Sequence, residues 1–310
     1  MVVYASVDQV YAEPVLKDFG RSTGVRVLPV FDVEAAKTTG LVNRLIAERA
    51  RPVADVFWNG EFVQTLRLKR QGVLAPYASP SASGLPPGLA DAEHYWAASG
   101  ARCRVLLVNG RTPPRAAGRP SLDLLLDPRI PPHRAGIAYP MFGTTATHAA
   151  ALYAIRGARQ GRAYFEKLRA RGVRVVDGNS VVRDLVAGGE LDIGLTDSDD
   201  ACGALARKAA VRVELPDQDG EGTLVIPGTV ALVARGPNPA EGRRLADYLL
   251  SADVEKRLID AGFYQLSVRE LSKPAGCLAG RRLKALPLAP EQVFDHFDSS
   301  RADMESIFVR

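Results

Sequence analysis

Histidine, cysteine and aromatic side chains are scarce in this chain, and each shortage removes a class of explanation. The four histidines, His94, His133, His148 and His296, share no metal-ligand spacing. The three cysteines, Cys103, Cys202 and Cys277, lie far apart with no metal-type spacing, and an odd number leaves at least one of them free. No Gly-x-Ser-x-Gly elbow and no Walker loop occur, and no nucleophile, base and oxyanion site can be assembled, which weighs against catalysis. No run of about 18 uncharged apolar residues exists to span a bilayer. The longest apolar stretches, such as Val225 to Ala234, are strand-sized. The N-terminus also lacks a basic start, an apolar stretch and a small-residue cleavage site. It passes from Met1 straight into Val2-Val3-Tyr4-Ala5, as a cytosolic chain would, or a trimmed mature form with Met1 added.

What is present is enough apolar sequence for two cores: 310 residues, 46% of them apolar and 24% charged. The net charge of +5 raises the question of nucleic acid, but the arginines are dispersed and form no stripe interleaved with aromatics, so no nucleic-acid partner is expected.

The first hundred residues alternate strand and helix patterns. Val2 to Ser6 reads as a buried strand, Ala12 to Phe19 as a helix ending at Gly20, and Val25 to Val30 as a second strand. Thr38-Thr39-Gly40 opens a helix with Leu41, Leu45 and Ile46 on one face, stopped by Pro52. Asp55 to Trp58 is a third strand and Glu61 to Gln71 the next helix. A Ser/Pro/Gly loop at 78–89 precedes a strand at Arg104 to Val108, and a Pro/Arg loop covers 110–120. A second series follows: strand Gly136 to Tyr139, a helix after Thr144-Thr145, strand Val173 to Val176, helix Ser180 to Ala187 and strand Leu191 to Thr196. Thr229 to Ala234 is a strand, Pro239 to Leu250 and Ala252 to Asp260 are helices, and the remainder is helical and irregular. The alternation argues for mostly parallel sheets covered by helices, in two α/β units.

Ligands of open α/β sheets bind where strand ends pass into helix N-termini, which directs attention to five loops. They contain Ser6 and Asp8, Trp58 and Glu61, Thr144 and Thr145, Asn179, and Asp197-Ser198-Asp199-Asp200. Three carboxylates within four residues repel one another unless water, a cation or helix amides offset them. Hard cations favour such oxygen clusters, while a plainer reading has Asp199 or Asp200 capping a helix that starts at Ala201. Gly143-Thr144-Thr145 offers amide and hydroxyl donors to an anion or serves as an ordinary cap; Thr38-Thr39-Gly40 and Gly178-Asn179-Ser180 read the same way. Arg102 and Arg104 flank Cys103, and strand alternation puts both on one face, suited to an anionic ligand group or to salt bridges. Trp58 is the aromatic placed to line a cleft from beside its loop, and His148, one turn into its helix, is expected on a polar helix surface.

The order Tyr4-Ala5-Ser6-Val7-Asp8, Asp32-Val33-Glu34, Lys37-Thr38-Thr39-Gly40 and Ala54-Asp55-Val56-Phe57-Trp58-Asn59-Gly60-Glu61 resembles the bacterial extracellular solute-binding proteins of family 1. Within that family the resemblance is to ferric-iron ABC transporter binding proteins. Gly178-Asn179-Ser180, Gly189 to Thr196, and Pro239 to Leu250 with Val254-Glu255 continue it over nearly the whole chain. The resemblance implies a type 2 periplasmic binding fold, with two α/β lobes joined by two crossover strands and a ligand cleft between them. It places residues 1–103 with 229–310 in one lobe and 104–228 in the other, with crossovers near Ala101 to Val105 and Pro227 to Val230. It implies a non-enzymatic, periplasmic, monomeric carrier that closes on a hinge, needs no cofactor and delivers a small molecule or ion to an ABC permease.

In ferric-binding members Glu61 falls where a carboxylate ligand stands and Ser6 to Asp8 near a first-strand ligand. Arg102 or Arg104, Thr144, Asn179 and Asp197 fall around a synergistic-anion pocket. Asp199-Asp200 stand where those members present paired tyrosines. A metal, ferric iron first, is therefore expected on Glu61, Asp199 and Asp200 with a synergistic anion. The alternative is a phosphorylated or hydroxylated organic solute such as a sugar phosphate, and the rival from another class is a metal-dependent hydrolase.

Overall fold

The structure, a computed structural model, describes residues 1–32, 39–113 and 120–309, and the chain divides into two compact α/β units. Unit 1 comprises Met1–Ala101 and Ile226–Leu271; unit 2 comprises Arg102–Val225 and Ser272–Arg310.

In unit 1, β1 (Val2–Ala5) pairs in parallel with β2 (Leu28–Phe31) and β3 (Val56–Asn59). Paired on both edges and packed over both faces, with Val3 in a core with Leu16 and Phe19 and Tyr4 toward Arg44 and Glu48, this run of β-branched and aromatic residues leaves Val3, Tyr4 and Ala5 wholly buried. β10 (Val225–Val233) joins β3 antiparallel, and β4 (Leu74–Ala75) pairs with β10. Helices α1 (Gln9–Thr23), α2 (Thr39–Ala47), α3 (Val63–Arg70), α8 (Pro239–Leu249) and α9 (Ala252–Asp260) belong to the same unit. Its core joins Val3, Val56, Trp58 and Val230 of the strands to Leu16 and Phe19 of α1, Leu245 and Leu249 of α8, and Leu258 of α9. Helix α1 runs past Gly20, where the sequence reading ended it, and closes on Gly24 with φ 73°, a left-handed cap.

In unit 2, β5 (Ala97–Asn109, entering from unit 1) lies antiparallel to β8 (Ile193–Asp197) and β9 (Val211–Glu214). β6 (Ala135–Ala138) is parallel to β8 and to β7 (Arg174–Val176). Helices α4 (Gly143–Arg156), α6 (Asn179–Gly188) and α7 (Ser198–Ala206) follow β6, β7 and β8, and α5 (Ala158–Arg171) follows α4. The sequence reading marks one helix after Thr144-Thr145 and before the strand at Val173; the structure has two, meeting at Gly157, whose φ of 80° an L side chain rarely adopts.

The C-terminal segment departs from the expected lobe assignment. Residues 272–310 belong to unit 2, not to the lobe of residues 1–103. The reason is packing: α10 (Pro290–Asp295) and α11 (Phe297–Phe308) lie against α4 and α5, and Met304 is fully buried in a core with Tyr153, Phe165 and Leu168. Tyr153 donates a 2.8 Å hydrogen bond to Asp303, and Arg162 pairs with the same carboxylate.

Candidate functional site

The residues singled out in unit 1 scatter over several environments. The Ser6 hydroxyl donates to Asn59 Oδ1 at 2.5 Å and accepts from the Gly60 amide. Asn59 Nδ2 in turn donates to Glu61 and to Thr65 Oγ1, which lies 2.7 Å from the Thr229 hydroxyl. The Glu61 carboxylate, buried, accepts the amides of Val63 at 2.6 Å and Gln64 at 2.8 Å, so it occupies the first turn of α3 as a cap. Helix α3 therefore begins at Val63, two residues later than the sequence reading has it, because Glu61 lends its side chain and not its backbone.

Asp8 precedes α1 and is half-buried; its carbonyl accepts the amides of Tyr11 and Ala12. Thr39 is half-buried at the start of α2, and Thr38 lies outside the described residues. Trp58 requires a correction. It is 0% exposed in the unit 1 core, in one cluster with Val3, Val56, Val230 and Phe263, so its indole lies among packed side chains and not on a loop surface.

In unit 2 the expected residues meet in one network. Arg104, on β5 and 0% exposed, donates from Nη1 to Asp197 Oδ1 at 2.6 Å, to Asn179 at 3.0 Å and to Thr144 at 3.1 Å, and from Nη2 to Thr145 at 3.3 Å. Two residues earlier on the same strand face, Arg102 reaches Asp199 at 3.0 Å and Asp197 at 3.3 Å. Thr144 donates to Asp197 Oδ2 at 2.7 Å, and the Asn179 amide donates to Thr144 and Asp197. Three helices begin at this cluster: α4 brings Thr144 and Thr145, α6 brings Asn179, and α7 brings Asp199 and Asp200 in its first turn.

Helix α7 starts at Ser198, three residues earlier than the capping reading has it. Asp199 and Asp200 therefore lie inside it, where negative charge suits the helix N-terminus. The Ser198 hydroxyl accepts the Cys103 amide at 3.1 Å.

The electrostatics follow from burial and pairing. Burial alone works to raise the Asp197 pKa, but Arg104 and Arg102 together with the Thr144 hydrogen bond overcome it and hold the carboxyl below its usual range. His148, expected on a polar surface, is instead buried: burial first, and then the Arg104 charge, drive its pKa well below the usual imidazole value and keep it neutral. Burial pushes the Cys103 thiol up to about 12, so it remains protonated between the two arginines.

The sequence reading does not single out Arg183, whose Nη1 donates to Asp200 at 2.9 Å. Its spacing of four residues from Asn179 on one helix was the available signal. Asp197, Asp199 and Asp200 hold carboxylate oxygens within 4.8 Å of one another. Their charges are met by Arg102, Arg104 and Arg183.

Cys202 and Cys277 form a disulfide, and Cys103 is free and buried. No helix among the described residues is long and apolar enough to cross a membrane.

The family model described as "Bacterial extracellular solute-binding protein" matches residues 1–264. No match is found among curated protein sequences. Among solved structures, the chain resembles a ferric binding protein from Campylobacter jejuni, with a TM-score of 0.89 at 16% identity over 99% of both chains. Iron-bound HitA from Pseudomonas aeruginosa gives 0.82 at 20% identity over 99% of both chains. The periplasmic binding protein AfuA from Actinobacillus pleuropneumoniae, solved with exogenous fructose-6-phosphate bound, gives 0.85 at 19% identity over 100% of this chain and 98% of that one. At these identities the likeness is one of fold.

Proposed function

The chain belongs to the bacterial extracellular solute-binding proteins, and from that premise we propose that it is the periplasmic carrier of an ABC importer, taking a polar organic solute with an anionic group. The carrier would close its two units on the ligand, present the closed form to the permease and release the ligand chemically unchanged. The Cys202–Cys277 disulfide supports a compartment outside the reducing cytosol.

One observation carries the choice of ligand. Every carboxylate of the Asp197, Asp199 and Asp200 group already has a guanidinium partner. A ferric ion would have to displace these partners, each such contact being worth roughly 4 kcal/mol at 4 Å and an effective dielectric of 20. The cluster also gathers three helix N-termini, two threonine hydroxyls and a carboxamide, donors of which Thr144 and Asn179 now serve Asp197 and would turn to a ligand anion in its place, with Asp199 and Asp200 beside them to accept from hydroxyls. A sugar phosphate has both kinds of group, and AfuA is a relative in fold solved with one.

The second reading, a metal cargo, is supported by the clustering of three carboxylates within 4.8 Å and by two ferric-binding relatives in fold. Thermal unfolding of chelator-stripped protein with fructose 6-phosphate, inorganic phosphate or ferric citrate separates the two. A ligand at 100 times its Kd stabilises the native state by about 2.7 kcal/mol. We expect a rise with the organic phosphate that Thr144→Val abolishes. A rise with ferric citrate alone, lost in Asp199→Ala, would transfer the assignment to metal.

A further inference from the structure

Helix α7 carries two of the three clustered carboxylates, yet the apolar side chains it buries are few and small. Its nine residues read Ser-Asp-Asp-Ala-Cys-Gly-Ala-Leu-Ala, and those it buries are Ser198, Asp199, Ala201, Cys202 and Ala204. These side chains remove little apolar surface from water, Gly203 lowers helix propensity, and a helix of two to three turns is marginal without tertiary support.

The covalent link to Cys277 supplies such support. Cys202 lies three residues after Asp199, on the same side of the helix, and is itself nearly buried. Cys277 belongs to a segment that has anchors of its own besides α7. Leu278 beside it is fully buried, Arg281 donates to the Val213 carbonyl of β9 at 2.6 Å, and backbone hydrogen bonds join Thr223 to Lys284 and Leu286. Further on, α10 and α11 are packed into the core against α4, the helix that brings Thr144 and Thr145 to the same cluster. The C-terminal segment thus ties together two of the three helices whose first turns make the site.

We infer that the Cys202–Cys277 disulfide is a positioning device for the ligand site, holding the first turn of α7 so that Asp199 and Asp200 stand ready in the arginine network. Ligand affinity is then redox-dependent. This inference rests on the reading of that network as the ligand site. A dithiol reductant attacks one sulfur, the Cys202–Cys277 bond breaks, two thiols form with the protons the dithiol loses, and the dithiol becomes the disulfide. Cys277 is half-buried next to exposed Gly276, which gives the reductant its approach, whereas Cys103 is wholly buried with a thiol pKa raised to about 12 and takes no part.

The test compares oxidised protein, protein reduced while folded, and the double variant Cys202→Ser/Cys277→Ser. Amide hydrogen exchange in 198–206 is followed against 158–171 of α5, and fructose 6-phosphate and inorganic phosphate are titrated calorimetrically. We expect exchange in α7 to rise at least tenfold on reduction with α5 unchanged, and the affinity of whichever compound binds the oxidised protein to fall at least fivefold, with the double variant matching the reduced form. Exchange in α7 that stays unchanged, or that rises only in step with α5, overturns the inference, because a disulfide that merely stabilises the unit would loosen both helices together. If the oxidised protein binds neither compound, the reading of the ligand site fails instead, and the exchange comparison alone upholds or overturns the positioning role.

Discussion

Arg104 shows why a buried charge can be both costly and indispensable. Its guanidinium has no exposure, yet it reaches Asp197, Asn179, Thr144 and Thr145, and Asp197 is buried with it. Removing one partner of such a pair leaves a carboxylate desolvated and only half compensated, at a cost of roughly 3–5 kcal/mol. We therefore expect Arg104→Met, which keeps most of the volume, to lower the unfolding free energy measured in urea by that amount; a loss under about 1 kcal/mol would mean that Arg102 alone suffices for Asp197. Asp217 behaves in the opposite sense. Burial lifts its carboxyl from 3.8 to about 6, against the pull of Arg156. Between those values the native state holds a proton that the unfolded chain has released, so the contribution is complete below pH 3.8 and is lost as the pH rises through about 6. Urea unfolding of wild type and Asp217→Asn from pH 4 to 7 reads this directly. The wild type loses stability relative to the variant across that window, and parallel profiles would remove Asp217 as the source. Asparagine is the suitable replacement because residue 217 has φ 57°, a conformation it tolerates.

At the scale of single elements, α3 separates capping from binding. The Glu61 carboxylate accepts two amides of its first turn, and loss of such a cap costs about 0.5–2 kcal/mol. Glu61→Ala is expected to destabilise the protein by that amount in chelator-stripped buffer, whereas Glu61→Gln, which keeps an acceptor oxygen, loses less. Equal stabilities of all three forms, with metal affinity lost, would return Glu61 to the role of a ligand. The same residue shows how far elements were legible in the sequence. The helix after Trp58 could be read from its apolar spacing, but whether Glu61 enters it by backbone or side chain depends on the register of β3 against β1. Strand β5 begins at Ala97, whereas the sequence reading starts it at Arg104, because the small residues of Ala-Ala-Ser-Gly-Ala carry a loop signature. The tertiary reason for them is Tyr264, whose ring lies 2.1 Å from where a Cβ on Gly100 would stand. In the candidate site, alternation placed Arg102 and Arg104 on one face and turn chemistry marked Thr144 and Asn179. The burial of His148 and Trp58 was hidden, since it is decided by elements distant in sequence that pack over them.

For the whole molecule, the sequence rhythm gave two α/β units, while the ownership of the C-terminal segment was settled by packing that no local pattern encodes. That ownership has a measurable consequence. Val293, Phe294, Phe297 and Met304 are buried in unit 2, and the larger core of unit 2 includes Met304 with side chains of α4, α5 and the sheet. Unit 1 has its own core, with no residue in common, and holds both tryptophans of the chain, Trp58 and Trp96, at 0% and 3% exposure. Tryptophan emission therefore reports unit 1, and far-ultraviolet circular dichroism reports both units. Truncation after Leu271 takes α10, α11 and Cys277 from unit 2 and exposes the apolar faces of α4 and α5. Unit 1 keeps every core residue, and an unfolded insertion between residues 101 and 226 adds only the slowly growing entropy of closing a longer loop. We expect the truncated chain to lose helical signal while its tryptophan emission stays at the buried wavelength, and its two thermal transitions to separate where a single probe-independent one would otherwise be assigned. A red shift of the emission in step with the loss of helix would show that unit 1 cannot hold its core without unit 2, and that the two units fold as one cooperative body.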